Sequence, residues 1–504
     1  MESRQISMGQ ATQGSEFYLM GEEIRPITTS SDGHDAFHWM GEMNKASAVM
    51  LAEQGVIRAP LAKIIANAVT QVLEAGAAPG AERPGNYMII ERLLVEAGGA
   101  EVTRVHSGRS RQDMLATTHR LFIRDQFLDT YDSLARIRAG MLALAQRHQN
   151  DLVPAYTHNV QAQPTTFGHY LLAFAAALER TAARMREAWA RVNLSPLGAG
   201  ALGTSSFAID RPRLAELLGF DGVVENSLDA NHVAPCDMSV ELAGIAASGA
   251  LTGDALINDI LAQYRQTSPW IVLREGGLTG PSTIMPQKRN PIVLVAARHL
   301  ASKVLGEAQA CLFVAHNIGS GLLEHRGNEA LIALQSVAKF FDMIDAAVRS
   351  LTLNVERARA EIDADYSTTT ELADILQRDA GVAFRAGHHF ASELVNYGRG
   401  HGLKPAQIPY AEAVRIYSDV NGSGPDAESR LPLSEARFRE ALSADNMVRS
   451  SRGMGGPQPA EVKRMLARQL DQLDNDRAWL DNRRQRLNDT RRALDEAFDK
   501  LAHA

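Results

Sequence analysis

Two cysteines in 504 residues, Cys236 and Cys311, are too few for a disulfide framework or a cysteine-based metal centre. Positive charge is not in excess either: 52 Lys and Arg stand against 59 Asp and Glu, a formal net charge of -7. Without a basic field to attract phosphates, nucleic acid is not an expected partner. Residues 1–14 are polar and hold no apolar signal-peptide core, and the longest apolar stretches are broken by Gly, Asp or Glu short of a membrane span. The expectation is a cytoplasmic protein with no membrane partner. No His, Asp or Glu cluster has metal-ligand spacing, so neither a metal nor a cofactor is expected.

Alternating β patterning is almost absent as well, and helical periodicity takes its place. Residues 1 to about 35 read as an irregular arm, and from Phe37 helical spacing dominates. Short helices are expected near 60–78 and 86–98, punctuated by Pro79, Gly80, Pro84, Gly85, Gly98 and Gly99. Five longer segments follow, near 112–149, 165–192, 237–266, 290–316 and 328–352, none with an interior proline. In one of them Leu294, Ala297, Leu300, Val304, Ala308 and Leu312 recur at spacings of three and four, which puts them on one stripe. Globular helices average about a dozen residues, so five long ones in series predict a bundle that subunits can share. The last third reads as shorter helices, interrupted by a loop around 421–432, and residues 459–501 read as solvated helix with coiled-coil character. The fold class is all-α. Three units are expected: 1–111, a central bundle over 112–355, and 356–504.

The connections between the long segments carry the distinctive residues. Gly276 and Gly277 precede Gly280-Pro281-Ser282-Thr283-Ile284-Met285-Pro286-Gln287-Lys288-Arg289-Asn290-Pro291. Paired glycines ahead of a Ser/Thr/Lys/Asn cluster that ends at a helix start suit a mobile lid binding a carboxylate, with Lys288 supplying full charge. Read alone, the same stretch is also a polar loop with Asn290 as a helix cap. Arg109 and Arg111 beside Asp113 read alone as a surface salt-bridge cluster, and Gly198-x-Gly200-x-x-Gly203 follows a helix and Pro196 instead of a strand, which makes it a turn and not a dinucleotide fingerprint.

Three segments together resemble the argininosuccinate lyase branch of the fumarase/aspartase superfamily. The 276–291 stretch places Ser, Met, Lys and Asn at the spacing of that superfamily's signature loop. Val105-His106-Ser107-Gly108-Arg109-Ser110-Arg111-Gln112-Asp113 and Tyr156-Thr157-His158-Asn159-Val160-Gln161-Ala162-Gln163-Pro164 resemble two further motifs of the branch. Weaker likeness lies at Pro196–Leu202 and Asn226–Asp229. The resemblance implies a three-domain fold whose central helices form a twenty-helix core in a homotetramer, with active sites shared among subunits. It implies a lyase that cleaves an N-substituted aspartate by β-elimination to fumarate and an amine, within amino-acid metabolism. An aminopolycarboxylate or another N-succinyl amine is the alternative substrate, and a crystallin-like structural homologue is the alternative from another class.

That chemistry takes a weakly acidic proton from the carbon beside a carboxylate, and the extra charge collects on the carboxylate before the amine departs. Cationic and amide donors must be in place to hold it. By resemblance Ser282 is the base, activated by Lys288 and loop amides, and His158 assists proton transfer to the leaving nitrogen. Arg109, Ser110, Gln112, Thr157, Gln163, Thr283, Met285, Asn290 and Leu322 are carried over as substrate-binding. Four departures mark this chain. Pro281 stands for the usual glycine before the serine, Gln112 for asparagine, and Val295 for the glutamate that commonly pairs with the histidine. The Tyr, Gln and Lys that hold arginine's half of the substrate fall at Leu322, Gly327 and Ala330, with Ile292 replacing an aspartate and with Glu324, His325 and Arg326 as the polar neighbours. A pocket bordered by Ile292 and Leu322 is expected to suit an amine less polar than a guanidinium.

Overall fold

A computed structural model describes residues 33–322, 327–422 and 430–503. Nearly all of the expected arm, together with Glu324, His325 and Arg326, lies outside the described residues. Three helices open the described chain: α1 (Ala36–Glu53), α2 (Ala59–Ala77) and α3 (Tyr87–Gly98). Asp35 caps the first through its side chain on the His38 amide, and Asn86 caps the third on the Met88 amide, so a short polar residue ends each preceding loop.

The five long segments are α4 (Arg111–Arg147), α5 (Phe167–Val192), α6 (Ala234–Gln263), α7 (Ile292–Ala315) and α8 (Glu329–Ser350). They pack around one core in which Phe127, Leu134, Leu178, Leu242, Leu294, Val304 and Phe340 are all buried. Two glycines let α6 approach α8: a Cβ on Gly253 would meet Ile344 at 2.5 Å, and one on Gly249 would meet Phe341 at 2.7 Å. Leu294, Ala297, Leu300, Val304 and Ala308 are buried as the stripe predicts, but Leu312, near the end of α7, is 44% exposed beside Phe313 at 69%. Among the described residues α6 is the one helix long and apolar enough to cross a membrane, yet it is a bundle helix with half of that apolar window buried.

Two further cores flank the bundle. The first joins α1 to α3 with Leu197, Leu214 and Phe220. The second gathers Leu372, Phe390, Leu394, Tyr417 and Phe438 from short helices over 369–441, with Tyr366 from the segment before them. The final helix, Pro459–His503, is not the solvated rod that its charge pattern predicts. Val462, Leu466, Leu473 and Leu480 pack on the bundle, and Leu494 and Phe498 enter the first core. Its Asp476 is fully buried and answered by Arg138 and, at 3.1 Å, by Arg186. Sequence grouping alone places this helix with 356–504, whereas its packing ties the other two units together.

Candidate active site

The stretch 156–163, expected as a plain connection, is an antiparallel hairpin, β1 (Leu152–Thr157) and β2 (Val160–Thr166). Thr157 faces Val160 across a two-residue turn in which His158 and Asn159 have φ of 53° and 63°. Consecutive left-handed residues make the tight turn whose twist matches the strands, and asparagine and histidine tolerate that region better than most. The turn thrusts His158 into solvent. Behind it, the hairpin is anchored to α9 (Val355–Ile362): the Tyr156 phenol donates to the Glu361 carboxylate, and Gln161 Nε2 donates to the Ile362 carbonyl at 3.4 Å. Trp270 Nε1 donates to the same phenol oxygen at 3.3 Å. Burial and the Glu361 charge push the Tyr156 phenol up to about 12, so it stays a hydrogen-bond donor at neutral pH.

The signature loop leaves the bundle at the same end, where Arg274 N–H donates to the Ser350 carbonyl at 2.8 Å. Strands β3 (Gly280–Pro281) and β4 (Arg289–Asn290) pair and close a loop over 282–288. Ser282 Oγ accepts the backbone amide of Met285 at 3.1 Å and that of Ile284 at 3.4 Å. The serine oxygen is therefore already faced by N–H dipoles, the environment that an alkoxide needs. Arg289 pairs with Glu275 at 3.2 Å, whereas the exposed Lys288 ammonium has no hydrogen-bond or ion-pair partner among the described residues. Thr283 and Met285 project from the loop, and Asn290 is half-buried at its base.

The remaining candidates sit at the start of α4. Ser110 caps the helix, accepting the Gln112 amide at 3.2 Å, while Asp113 returns a bond to the Ser110 amide at 2.8 Å. The other Asp113 oxygen accepts the amides of Gly198 and Gly200 at 2.9 and 3.0 Å, which ties the glycine turn to the helix start. Burial lifts the Asp113 carboxyl to about 6 despite those donors. Sequence reading put Asp113 in a surface salt-bridge cluster and gave it no capping role, although its place three residues after a serine cap is the legible signal.

The Arg109 guanidinium, expected to bind substrate, is buried, donating to Ser47 Oγ and Asn44 Oδ1 at 3.0 Å each and to the Tyr87 hydroxyl at 3.2 Å. It braces the first core from a buried position. Arg111, two residues on, is exposed at the first position of α4, with no hydrogen-bond or ion-pair partner among the described residues. The surface salt-bridge reading of this pair fails for both arginines.

These groups do not meet within one chain. At about 1.5 Å per residue, the 37 residues of α4 separate Ser110, Arg111 and Gln112 from the hairpin and signature loop by roughly 55 Å. Thr157, His158 and Gln163 share the far end with Ser282, Lys288 and Asn290. Ile292 and Leu322 are likewise divided by α7, whose 24 residues span about 36 Å. Val295 stands 58% exposed on the first turn of that helix.

Residues 37–306 match the family described as Lyase, and residues 366–449 match the family described as Argininosuccinate lyase C-terminal. The chain is 31% identical to the argininosuccinate lyase of Methanocaldococcus jannaschii over 482 residues, which cover 94% of this chain and 96% of that protein. Its fold is similar to a crystal structure of EDDS lyase in complex with formate, with a TM-score of 0.86 and 29% identity over 98% of this chain and 96% of that one. A double variant of EDDS lyase with bound fumarate, in which an aspartate and a tyrosine are replaced by methionine, matches with the same figures.

Proposed function

The chain belongs to the argininosuccinate lyase branch of the fumarase/aspartase superfamily, and from that premise we propose how its residues divide the work of breaking a carbon-nitrogen bond. The substrate is an N-substituted aspartate, and the products are fumarate and an amine. Ser282 takes the proton from the carbon next to the carboxylate. Its oxygen is stabilised as alkoxide by the amides of Ile284 and Met285 and by the Lys288 charge. Thr157, Asn290, Ser110, Arg111 and Gln112 hold the two carboxylates, and His158 serves the departing nitrogen.

The observation that carries this reading is the separation of these groups onto opposite ends of the bundle. A homotetramer in which copies run antiparallel brings the α4 start of one subunit to the hairpin and loop of others, and so completes each site. Support comes from the apolar residues left open on the bundle helices, Leu251, Val295 and Phe313. The test is complementation. Ser282→Ala and Arg111→Glu variants, each inactive alone, are unfolded together, refolded and assayed for fumarate by its ultraviolet absorbance. Mixed tetramers regain up to about a quarter of wild-type activity if the two residues come from different subunits. No recovery, with tetramers formed, would place both residues in one subunit's site.

For the amine half we propose a group less polar than arginine's guanidinium. The two positions changed in the fumarate-bound EDDS lyase variant lie thirty residues apart, the same separation as Ile292 and Leu322 here. Where that variant carries introduced methionines, this chain carries its own apolar residues.

A further inference from the structure

Beyond its base the hairpin has little packing of its own. The register slips between Ala155 and Tyr156, and past that irregularity two pairs remain, Tyr156 with Gln161 and Thr157 with Val160. Residues 156–160 are all exposed, and a two-stranded ribbon without a covered apolar face is marginal in water. What holds the tip is the side chains of one cross-strand pair, both directed at the end of α9. Gln161 Nε2 reaches the Ile362 carbonyl, one of the last of that helix, and donates to Ser367 Oγ at 3.1 Å. The Tyr156 phenol is bonded on two sides, accepting from Trp270 Nε1 and donating to Glu361. Glu361 is itself fixed: the Arg357 guanidinium lies 2.8 Å from its other oxygen, and Arg357 Nε donates to the Ser268 carbonyl at 2.8 Å. Trp270 is buried and directly precedes the short strand Ile271–Leu273, which pairs with Leu351–Leu353 and runs on to Gly276 and the signature loop.

We propose that Glu361 is a positioning residue for the elimination, acting through the Tyr156 phenol to hold the hairpin tip, with Thr157 and His158, against the segment that leads into the signature loop. The inference rests on the lyase reading above and deepens it. One phenol oxygen joins three parts of the chain: the hairpin, α9 and the run into the lid. A phenol has a single proton to give, so the carboxylate dictates where the hydroxyl points and leaves its lone pairs to Trp270. Burial and the Glu361 charge keep that proton in place at neutral pH. The bond is charge-assisted, and so stronger than the neutral pairs of the tip. Without it the tip keeps two backbone pairs and the Gln161 contacts, and a displacement of about an ångström at reacting groups costs on the order of a hundredfold in rate. Neither Tyr156 nor Glu361 belongs to the buried core of the bundle, so their loss falls on geometry more than on stability.

The test compares the full-length wild type with Glu361→Ala, Glu361→Gln, Tyr156→Phe and the double variant Tyr156→Phe/Glu361→Ala, in fumarate release from argininosuccinate and from N-benzylaspartate. Glu361→Ala and Tyr156→Phe are each expected to lower kcat at least about tenfold. The inhibition constant of succinate should change by less than about threefold, because the other carboxylate contacts remain and the loss is confined to the reacting geometry. Glu361→Gln keeps an oxygen to accept the phenol proton and is expected to retain at least about a third of wild-type kcat. The double variant should be no slower than the slower single one, as for two groups that act through one contact. Backbone hydrogen exchange over residues 152–166 should accelerate in Glu361→Ala with the bundle helices unchanged, which reads the hairpin independently of activity. Unchanged exchange there, equal losses in Glu361→Gln and Glu361→Ala, or multiplied losses in the double variant overturns the inference while leaving the lyase intact. If the wild type releases no fumarate from either compound, and consumes none with arginine or benzylamine, the lyase reading itself fails and this inference falls with it.

Discussion

Ile292 reaches back from the first turn of α7 and lays its side chain over Gly280, so closely that a methyl group there would overlap it. Gly280 begins the strand pair that closes the signature loop, two residues before Ser282. The residue expected from sequence to border the amine pocket thus also seats the base of the lid. Gly280→Ala is expected to lower kcat at least about tenfold, because displacing the loop by about an ångström misplaces the serine, while the melting temperature moves little. Adding Ile292→Ala should return part of the loss. A double variant no better than Gly280→Ala would disconnect the two residues.

Ser282→Ala should abolish elimination without changing the assembly, since the residue lies on a surface loop and not in the bundle core. General-base catalysis is usually worth at least about a hundredfold, so retention of more than about a tenth of wild-type turnover would take the base role from Ser282. Lys288→Met should weaken fumarate and succinate binding as well as turnover. Equal affinity for both dicarboxylates in that variant would refute its carboxylate contact.

The two neighbouring arginines should separate stability from function. Arg109→Met strands the buried Asn44 Oδ1 and Ser47 Oγ and should cost about 2 to 3 kcal/mol in denaturant unfolding. Arg111→Met should leave stability unchanged and raise the inhibition constant of succinate by about tenfold, as expected for one lost charge-assisted contact. The opposite pattern would exchange their roles.

Two histidines of the first core set an acid limit. Burial and the Arg109 charge depress His106 to about 4, and burial with the neighbouring His34 depresses His38 to about 3. Both titrate below their unfolded value near 6.5, so the unfolded chain binds protons first. Their contribution to stability is full above about pH 6.5 and is lost as pH falls towards 4 and then 3. Asp113 opposes them, since its raised carboxyl makes the fold gain stability as pH falls from about 6 towards 4. Melting temperature followed over pH 4 to 6.5 should therefore fall more steeply in Asp113→Asn and less steeply in His106→Phe, which keeps a ring against Tyr87. Parallel curves for all three proteins would dismiss both assignments.

Arginine should be a poor nucleophile for the reverse reaction. In the proposed tetramer its guanidinium would be desolvated against Ile292 of one subunit and Leu322 of another, and an imperfectly satisfied buried polar group costs roughly 1 to 3 kcal/mol, about tenfold to a hundredfold in specificity constant. Ile292→Asp combined with Leu322→Tyr should narrow the gap between arginine and alkyl amines. Wild-type preference for arginine by a wide margin would restore an arginine site at this position.

Much of the architecture was legible because it rests on period and capping. The five bundle helices begin and end within a few residues of their expected limits, since apolar spacing and loop residues act locally. Motif wording identified the family for the same reason: Ser282, Lys288 and His158 lie in short continuous segments. The hairpin under His158 was not legible. Its strands are short, buried at the base and exposed at the tip on both faces, so the alternation that would announce them is missing.

The sequence by itself determined an all-α bundle, the family and the segments that carry the chemistry. Tertiary structure decided which of two arginines faces solvent, because only packing shows that Asn44, Ser47 and Tyr87 surround Arg109 and leave Arg111 open. It decided that a helix of polar composition is the spine joining two cores, because the few apolar residues that count recur over 45 residues and find partners far away in the chain. And it decided that Gln112 and His158 cannot meet within one chain. Helix rise fixes their separation, and no local pattern reports a distance between the two ends of a bundle.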